Sequence, residues 1–341
     1  MTRLPAEWEA QSAILLTWPN PDGDFAASPD AFDRVCRCFE QLTLNIARYQ
    51  PVRISVGSDS EHTRLKSWLA AQSLAHAVTL YRLPSNDVWA RDHSPIGVYR
   101  DGQTQLLKFG FDGWGGKYPA DKDNALAPQL AAQGAFGDTP LMPVDLVLEG
   151  GAIDSDGQGT LLATRSSVLD PRRNPARSVQ DIEQCLLEAF GLQRILWLDH
   201  GALQGDDTDG HIDTLARFVS ADSIVYQAAG DADDVNREEL ERMADELRAL
   251  RTLDGRPYRL IALPWAGVHR NEDGDDLPAS YANFLILNGA VLMPTYGSPA
   301  DAVALDALRG ALPEHDIVGV DCQALIRQYG SLHCVTMNLP A

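Results

Sequence analysis

Cysteine is scarce in this chain and does not pair off. The five residues Cys36, Cys38, Cys185, Cys322 and Cys334 are odd in number and contain no Cys-x-x-Cys spacing. That excludes a disulfide framework and fits a reducing, cytoplasmic compartment. Cys36-Arg37-Cys38 falls in a helical pattern, where side chains two apart diverge, so no metal site is expected there. Positive charge is also short: 28 Lys and Arg face 48 Asp and Glu, for a net charge of −20. Such a surface repels phosphate backbones and anionic lipid, so neither nucleic acid nor membrane is an expected partner. Long apolar runs are missing. The longest, around Phe284 to Met293, is broken by Asn288 and Gly289 and is far too short for a bilayer. The first residues, Met1-Thr2-Arg3-Leu4-Pro5-Ala6-Glu7-Trp8-Glu9, hold no apolar leader core.

What is present is a soluble-type composition, 45% apolar, with a repeated element order. Strand, turn, strand, helix and strand recur. The first unit runs from Pro95–Tyr99 through the turn Asp101-Gly102 to Leu106–Phe109, a helix near 124–133 and a strand at 144–148. The second uses 151–153, Asp156-Gly157, 160–164, a helix at 178–190 and a strand at 194–198. The third uses a strand at 211–219, Ala221-Asp222, 224–227, a helix at 235–250 and a strand at 258–263. The fourth uses 283–287, Asn288-Gly289, 291–294, a helix at 300–312 and a strand at 317–320. Asp-Gly and Asn-Gly supply the positive φ of tight hairpins. Apolar residues three and four apart, as at Leu240, Met243, Ala244 and Leu247, mark the helices. The ends make a fifth unit, with 334–338 beside 13–17, a helix at 30–49 and a strand at 52–56, which closes a ring and removes two sheet edges. A helix at 61–71 and a strand at 78–83 fit no unit cleanly. No linker interrupts the pattern, so one domain over 1–341 is expected.

Several groups carry potential chemistry. Cys334 stands near the C-terminus, and by position it reads equally as a nucleophile or a buried structural thiol. His211 and Asp213 alternate along the expected strand, which puts both on one face. Solvent-facing alternation and a His-x-Asp metal pair are the competing readings; no second His pair has ligand spacing. Asp92 precedes Pro95 and is placed at the start of a strand, as a turn cap or a site acid. Glu149 follows the apolar run Leu146-Val147-Leu148 and precedes Gly150-Gly151, at a bulge or a site. A thiol, an imidazole and several carboxylates together suit one substrate. A guanidinium is a permanent planar cation with a poorly electrophilic carbon. Thiolate attack, carboxylate clamps and His proton transfer are what its cleavage requires.

The ordered segments Trp89-Ala90-Arg91-Asp92, Leu148-Glu149-Gly150-Gly151, Arg173-Asn174-Pro175, Asp206-Asp207-Thr208-Asp209-Gly210-His211-Ile212-Asp213, Ser280-Tyr281-Ala282-Asn283-Phe284 and His333-Cys334 resemble the agmatine deiminase family, also called bacterial-type peptidyl-arginine deiminases, of the guanidine-modifying superfamily. The resemblance covers nearly the whole chain. It implies an α/β five-bladed pseudo-symmetric propeller, the pentein fold, built of ββαβ units. It implies Cys334 as nucleophile, His211 as general acid and base, Asp92 and Asp213 as guanidinium clamps, and Glu149 as a partner of His211 and substrate. Trp89, Asp207 and Gly330 are implied as further substrate contacts. The implied reaction turns agmatine and water into N-carbamoylputrescine and ammonia, a step towards putrescine, with no cofactor and no metal. A homo-oligomer is compatible with the sequence.

This chain departs from the family pattern in three places. Tyr329-Gly330-Ser331-Leu332 replaces a Gly-Gly-Asn-Ile run, Thr336-Met337-Asn338 replaces Thr-Gln-Gln, and the segment after Trp18-Pro19 differs. These edges bear on the substrate tail, so the chemistry is better specified than the amine. Deimination of free, methylated or peptidyl arginine, amidino transfer, and non-catalytic binding of a cationic amine are the alternatives. A cysteine protease is disfavoured because no helix start follows Cys334 to acidify it.

Overall fold

Hairpins followed by helices set the architecture. The computed structural model describes residues 2–232 and 234–341; Met1 and Asp233, both within the 1–341 span and Met1 also within the leader reading, lie outside the described residues. Asp101 and Gly102 take left-handed φ of 52° and 80°. They turn Ile96–Arg100 into Gln103–Gly110, with Arg100 paired to Gln103. The helix Asp121–Ala132 then returns the chain so that Leu141–Val147 pairs parallel with the second hairpin strand.

The same order recurs in four further sheets. The second joins Ile153–Ser155, Thr160–Thr164 and Arg194–Leu198 around the helix Val179–Phe190. The third joins Ala216–Ser220, Ser223–Gln227 and Arg259–Leu263 around Arg237–Ala249. The fourth joins Leu285–Leu287, Ala290–Thr295 and Asp316–Asp321 around Asp301–Ala311. In the fifth, Thr336–Pro340 pairs antiparallel with Gln11–Thr17, Thr336 opposite Leu16, and Val52–Val56 follows the helix Pro29–Ile46. In each sheet the hairpin pair is antiparallel and the strand after the helix is parallel, so the fold is α/β.

Local chemistry explains the helix ends. Ser178 and Asp181 form a reciprocal capping box, and Gly191 closes the same helix in a left-handed conformation at φ 66°. Leu240, Met243, Ala244 and Leu247 are the buried stripe of Arg237–Ala249. Among the described residues, no helix is long and apolar enough to cross a membrane.

Two expectations are corrected. The segment expected as a strand over 211–219 starts as a 3-10 turn, Ile212–Thr214, and the strand begins only at Ala216. Asp92 belongs to a helical turn, Ala90–His93, and not to a strand start, because Pro95 makes only the last residues before it extended. The helix Asp59–Ala70 and strand Val78–Arg82 fall outside the repeated unit, as expected: the strand adds parallel to Val52–Val56 as an outer edge. Thr2–Arg3 likewise adds to the first sheet, beside Ile96–Arg100, which the sequence did not suggest.

Candidate active site

Each unit offers the residues just ahead of its first hairpin strand. Asp92 precedes Ile96, Glu149 precedes Ile153, His211 and Asp213 precede Ala216, Asn283 precedes Leu285, and Cys334 precedes Thr336. All lie on tight turns, and all of these side chains are buried. Turns aim side chains along the strand axis where the pleat would aim them sideways, so five distant segments can meet at one end of the sheets.

The glycine pair after Glu149 makes that meeting possible. A Cβ on Gly151 would stand 2.7 Å from His211 Nδ1, 2.9 Å from Asp92 Oδ1 and 3.1 Å from Asp213 Oδ2. Any larger residue would push the three groups apart.

Cys334 is 5% exposed and lines a narrow cleft. Its sulfur accepts a hydrogen bond from Asn283 Nδ2 at 3.2 Å and stands 3.8 Å from Asp213 Oδ2. Asn283 Oδ1 accepts the backbone N–H groups of His333 at 2.8 Å and Cys334 at 3.3 Å, which fixes the turn. Burial pushes the thiol well above its ordinary range, and the Asp213 and Asp92 carboxylates push it further.

His211 has its Nδ1 3.6 Å from Asp92 Oδ1 and its Nε2 3.9 Å from Glu149 Oε2. Neither ring nitrogen has a hydrogen-bond partner among the described residues. Burial lowers its pKa to about 3, against the pull of Asp213, so the ring is neutral at ordinary pH. A buried imidazole with both nitrogens open is poised to bond a ligand.

The carboxylates differ in environment. Asp92 accepts from Trp114 Nε1 and from the Gly151 N–H, each at 3.0 Å. Burial raises its pKa well above the usual carboxylate range, with Asp213 and Glu149 adding to the rise. Asp213 feels the same burial, yet its 2.7 Å bond to His333 Nδ1 holds it low. Its Oδ1 has no partner among the described residues. Glu149 is gripped by Arg173 Nε at 2.8 and 3.0 Å, so its firm partner is this arginine and its approach to His211 is longer than a hydrogen bond.

The cleft rim holds the other expected residues. Trp89, Asp207 and Gly330 line it with Asp92 and Cys334. Trp89 Nε1 donates to Asp87 Oδ2 at 3.0 Å. A Cβ at Gly330 would meet the Trp89 ring at 2.2 Å, so the glycine leaves room for that indole. Asp207 accepts from Tyr118 across the cleft at 2.6 Å. Asp24, Asp87 and Asp206 also line the cleft, and among the described residues no lysine or arginine does. Among the described residues no cluster of His, Cys, Asp and Glu has a metal-holding arrangement.

Sequence reasoning assigned no role to Asn283, Trp114, Arg173 or His333. Asn283 and Arg173 sit inside motif segments, Trp114 in a glycine-rich loop and His333 beside the thiol. Those positions were the only signal available, because each acts through a partner distant in the chain.

Comparison with known proteins shows the family to which the chain belongs. The family model described as Porphyromonas-type peptidyl-arginine deiminase matches residues 3–340. A Vibrio parahaemolyticus protein named "Putative agmatine deiminase" is 33% identical over 99% of this chain and 96% of its own. A crystal structure named "Putative Arginine Deiminase from Porphyromonas gingivalis" is 43% identical, with TM-score 0.91 over 100% of this chain and 98% of that one. The C. jejuni agmatine deiminase solved with substrate bound is 31% identical, with TM-score 0.91 over 99% and 96%.

Proposed function

The chain belongs to the Porphyromonas-type peptidyl-arginine deiminase family, and on that premise we propose that it hydrolyses agmatine to N-carbamoylputrescine and ammonia. It is a hydrolase of carbon–nitrogen bonds in linear amidines.

One observation carries the reading: Cys334, Asp92 and Asp213 meet a neutral, open-sided His211 beneath a cleft whose ionisable rim is acidic. The guanidinium lies between Asp92 and Asp213. Its charge lowers the thiol pKa, and the Cys334 proton passes to His211. The thiolate then attacks the guanidinium carbon. His211 returns the proton to the departing nitrogen, the C–N bond breaks and ammonia leaves a covalent thiouronium. Water enters, His211 takes its proton, and the new C–O bond displaces the sulfur. The ureido product leaves, and the proton returns to Cys334.

The rim favours an amine tail over an amino-acid tail. Agmatine ends in an ammonium; arginine carries an α-carboxylate beside the same ammonium. At about 7 Å from one aspartate and an effective dielectric near 20, that carboxylate is disfavoured by about 2 kcal/mol, roughly 30-fold. Arginine deimination is the second reading, favoured by the name of the Porphyromonas gingivalis relative.

The same reading takes the five ββαβ sheets as five blades of a pentein propeller, in one domain over 1–341. Pairing of Thr336–Pro340 with Gln11–Thr17 supports such a ring. Five free cysteines support a cytoplasmic enzyme.

The test is ammonia and ureido-product release from agmatine, arginine and an arginyl peptide, with Cys334→Ala as control. Agmatine is expected to lead by at least about tenfold in kcat/KM. Preference for arginine moves the assignment to the second reading. No release from any guanidine overturns both.

A further inference from the structure

His333 adjoins the proposed nucleophile but faces away from the cleft. Its ring is 2% exposed and spans two carboxylates. Nδ1 is 2.7 Å from Asp213 Oδ2, and Nε2 is 2.8 Å from Glu7 Oε2. A carboxylate oxygen only accepts, so with both acids ionised the ring bonds both only when each nitrogen carries a proton.

Glu7 is built to stay ionised. Its Oε1 accepts the Ile286 N–H at 2.7 Å, and its Oε2 accepts from Arg217 Nη2 at 2.8 Å. Arg217 is itself fixed by Asp154 at 3.1 Å and the Phe284 carbonyl at 3.0 Å. Behind this frame lies a second, solvent-open pocket, lined by Glu7, Arg91, Asp154 and His333 among others. Cys334 faces the cleft and His333 faces this rear pocket, so the two consecutive residues occupy opposite sides of one wall.

We propose that His333, held as a cation by Glu7, is a positioning residue that keeps Asp213 ionised and occupies its Oδ2, leaving Oδ1 free for the substrate cation. This rests on the deiminase reading above. Without that cation, Asp213 would face Asp92 and the Cys334 sulfur with only the more distant Arg217 as a fixed counter-charge and would take a proton more readily. A protonated clamp cannot bind a guanidinium with full strength. The titratable and charged groups around the ring are Glu7 and Asp213 in contact, Arg217, Arg91 and Asp154 behind Glu7, and Asp92, His211 and Cys334 beyond Asp213.

Glu7→Gln keeps an acceptor for Arg217 and removes the charge that holds the proton on His333. Its kcat/KM deficit is expected to grow about tenfold between about pH 6 and about pH 8.5, carried mainly by KM, because an imidazole changes charge in this range. His333→Gln should show a high KM at every pH. A purely structural role would lower thermal stability and leave the shape of the pH profile as in the unmodified enzyme. An unshifted profile in Glu7→Gln, with unmodified enzyme active, overturns this proposal alone; inactive unmodified enzyme overturns the deiminase reading instead.

Discussion

The Cys334 sulfur lies 3.8 Å from Oδ2 of Asp213. A thiol is tolerated there, whereas a thiolate would sit against a carboxylate in a buried site. On the proposed reaction, the thiolate therefore forms when a cation arrives. A positive group at about 4 Å contributes about 4 kcal/mol at an effective dielectric near 20, roughly 3 pKa units.

Alkylation reads this directly. A cationic haloacetamidine should modify Cys334 at least about 100-fold faster than neutral iodoacetamide at pH 7, relative to their ratio on a free thiol. Equal relative rates would contradict a substrate-generated thiolate.

Trp114 fixes one oxygen of Asp92. Trp114→Phe leaves that buried oxygen without a donor, at about 1–3 kcal/mol. The variant should lose roughly 5- to 100-fold in kcat/KM for agmatine, as measured by steady-state ammonia release. Unchanged kinetics would remove Trp114 from the site.

Arg173 and Glu149 form a fully buried pair, with side chains 1% and 0% exposed. Arg173→Met strands the Glu149 charge, so unfolding free energy should fall by about 3–5 kcal/mol in urea titrations. Arg173→Met/Glu149→Gln should recover part of the loss. A single variant as stable as the parent would show that the pair is not needed.

His211 and His93 are both buried, and burial lowers each to about 3. An unfolded histidine titrates near ~6.5. Between these limits the unfolded chain binds protons that the folded chain refuses. Stability is thus fully present above about pH 6.5 and falls as pH drops towards about 3, by up to ~1.4 kcal/mol per pH unit for each ring. His211→Gln should flatten the slope by one such share between about pH 6.5 and about pH 4. An unaltered slope would mean that His211 is protonated in the fold.

The repeating units were legible because hairpin turns and helix stripes are local. Asp101-Gly102 needs only its own backbone to turn, and Leu240 to Leu247 need only the helical period. The site turns were less legible. His211 and Asp213 alternate like a strand, yet the chain winds into a 3-10 turn because the acid must reach His333, 120 positions away. The place of Val78–Arg82 was hidden for a similar reason: its partner is chosen by the free edge of Val52–Val56, which no local pattern records.

Sequence alone determined the element order, the acidic charge and the inventory of a thiol, an imidazole and carboxylates. Those follow from composition and short-range periodicity. Tertiary structure decided which acid is held ionised, which imidazole is neutral and which is clamped between Glu7 and Asp213. Protonation depends on burial and on charges a few ångströms away, and those neighbours come from both ends and the middle of the chain.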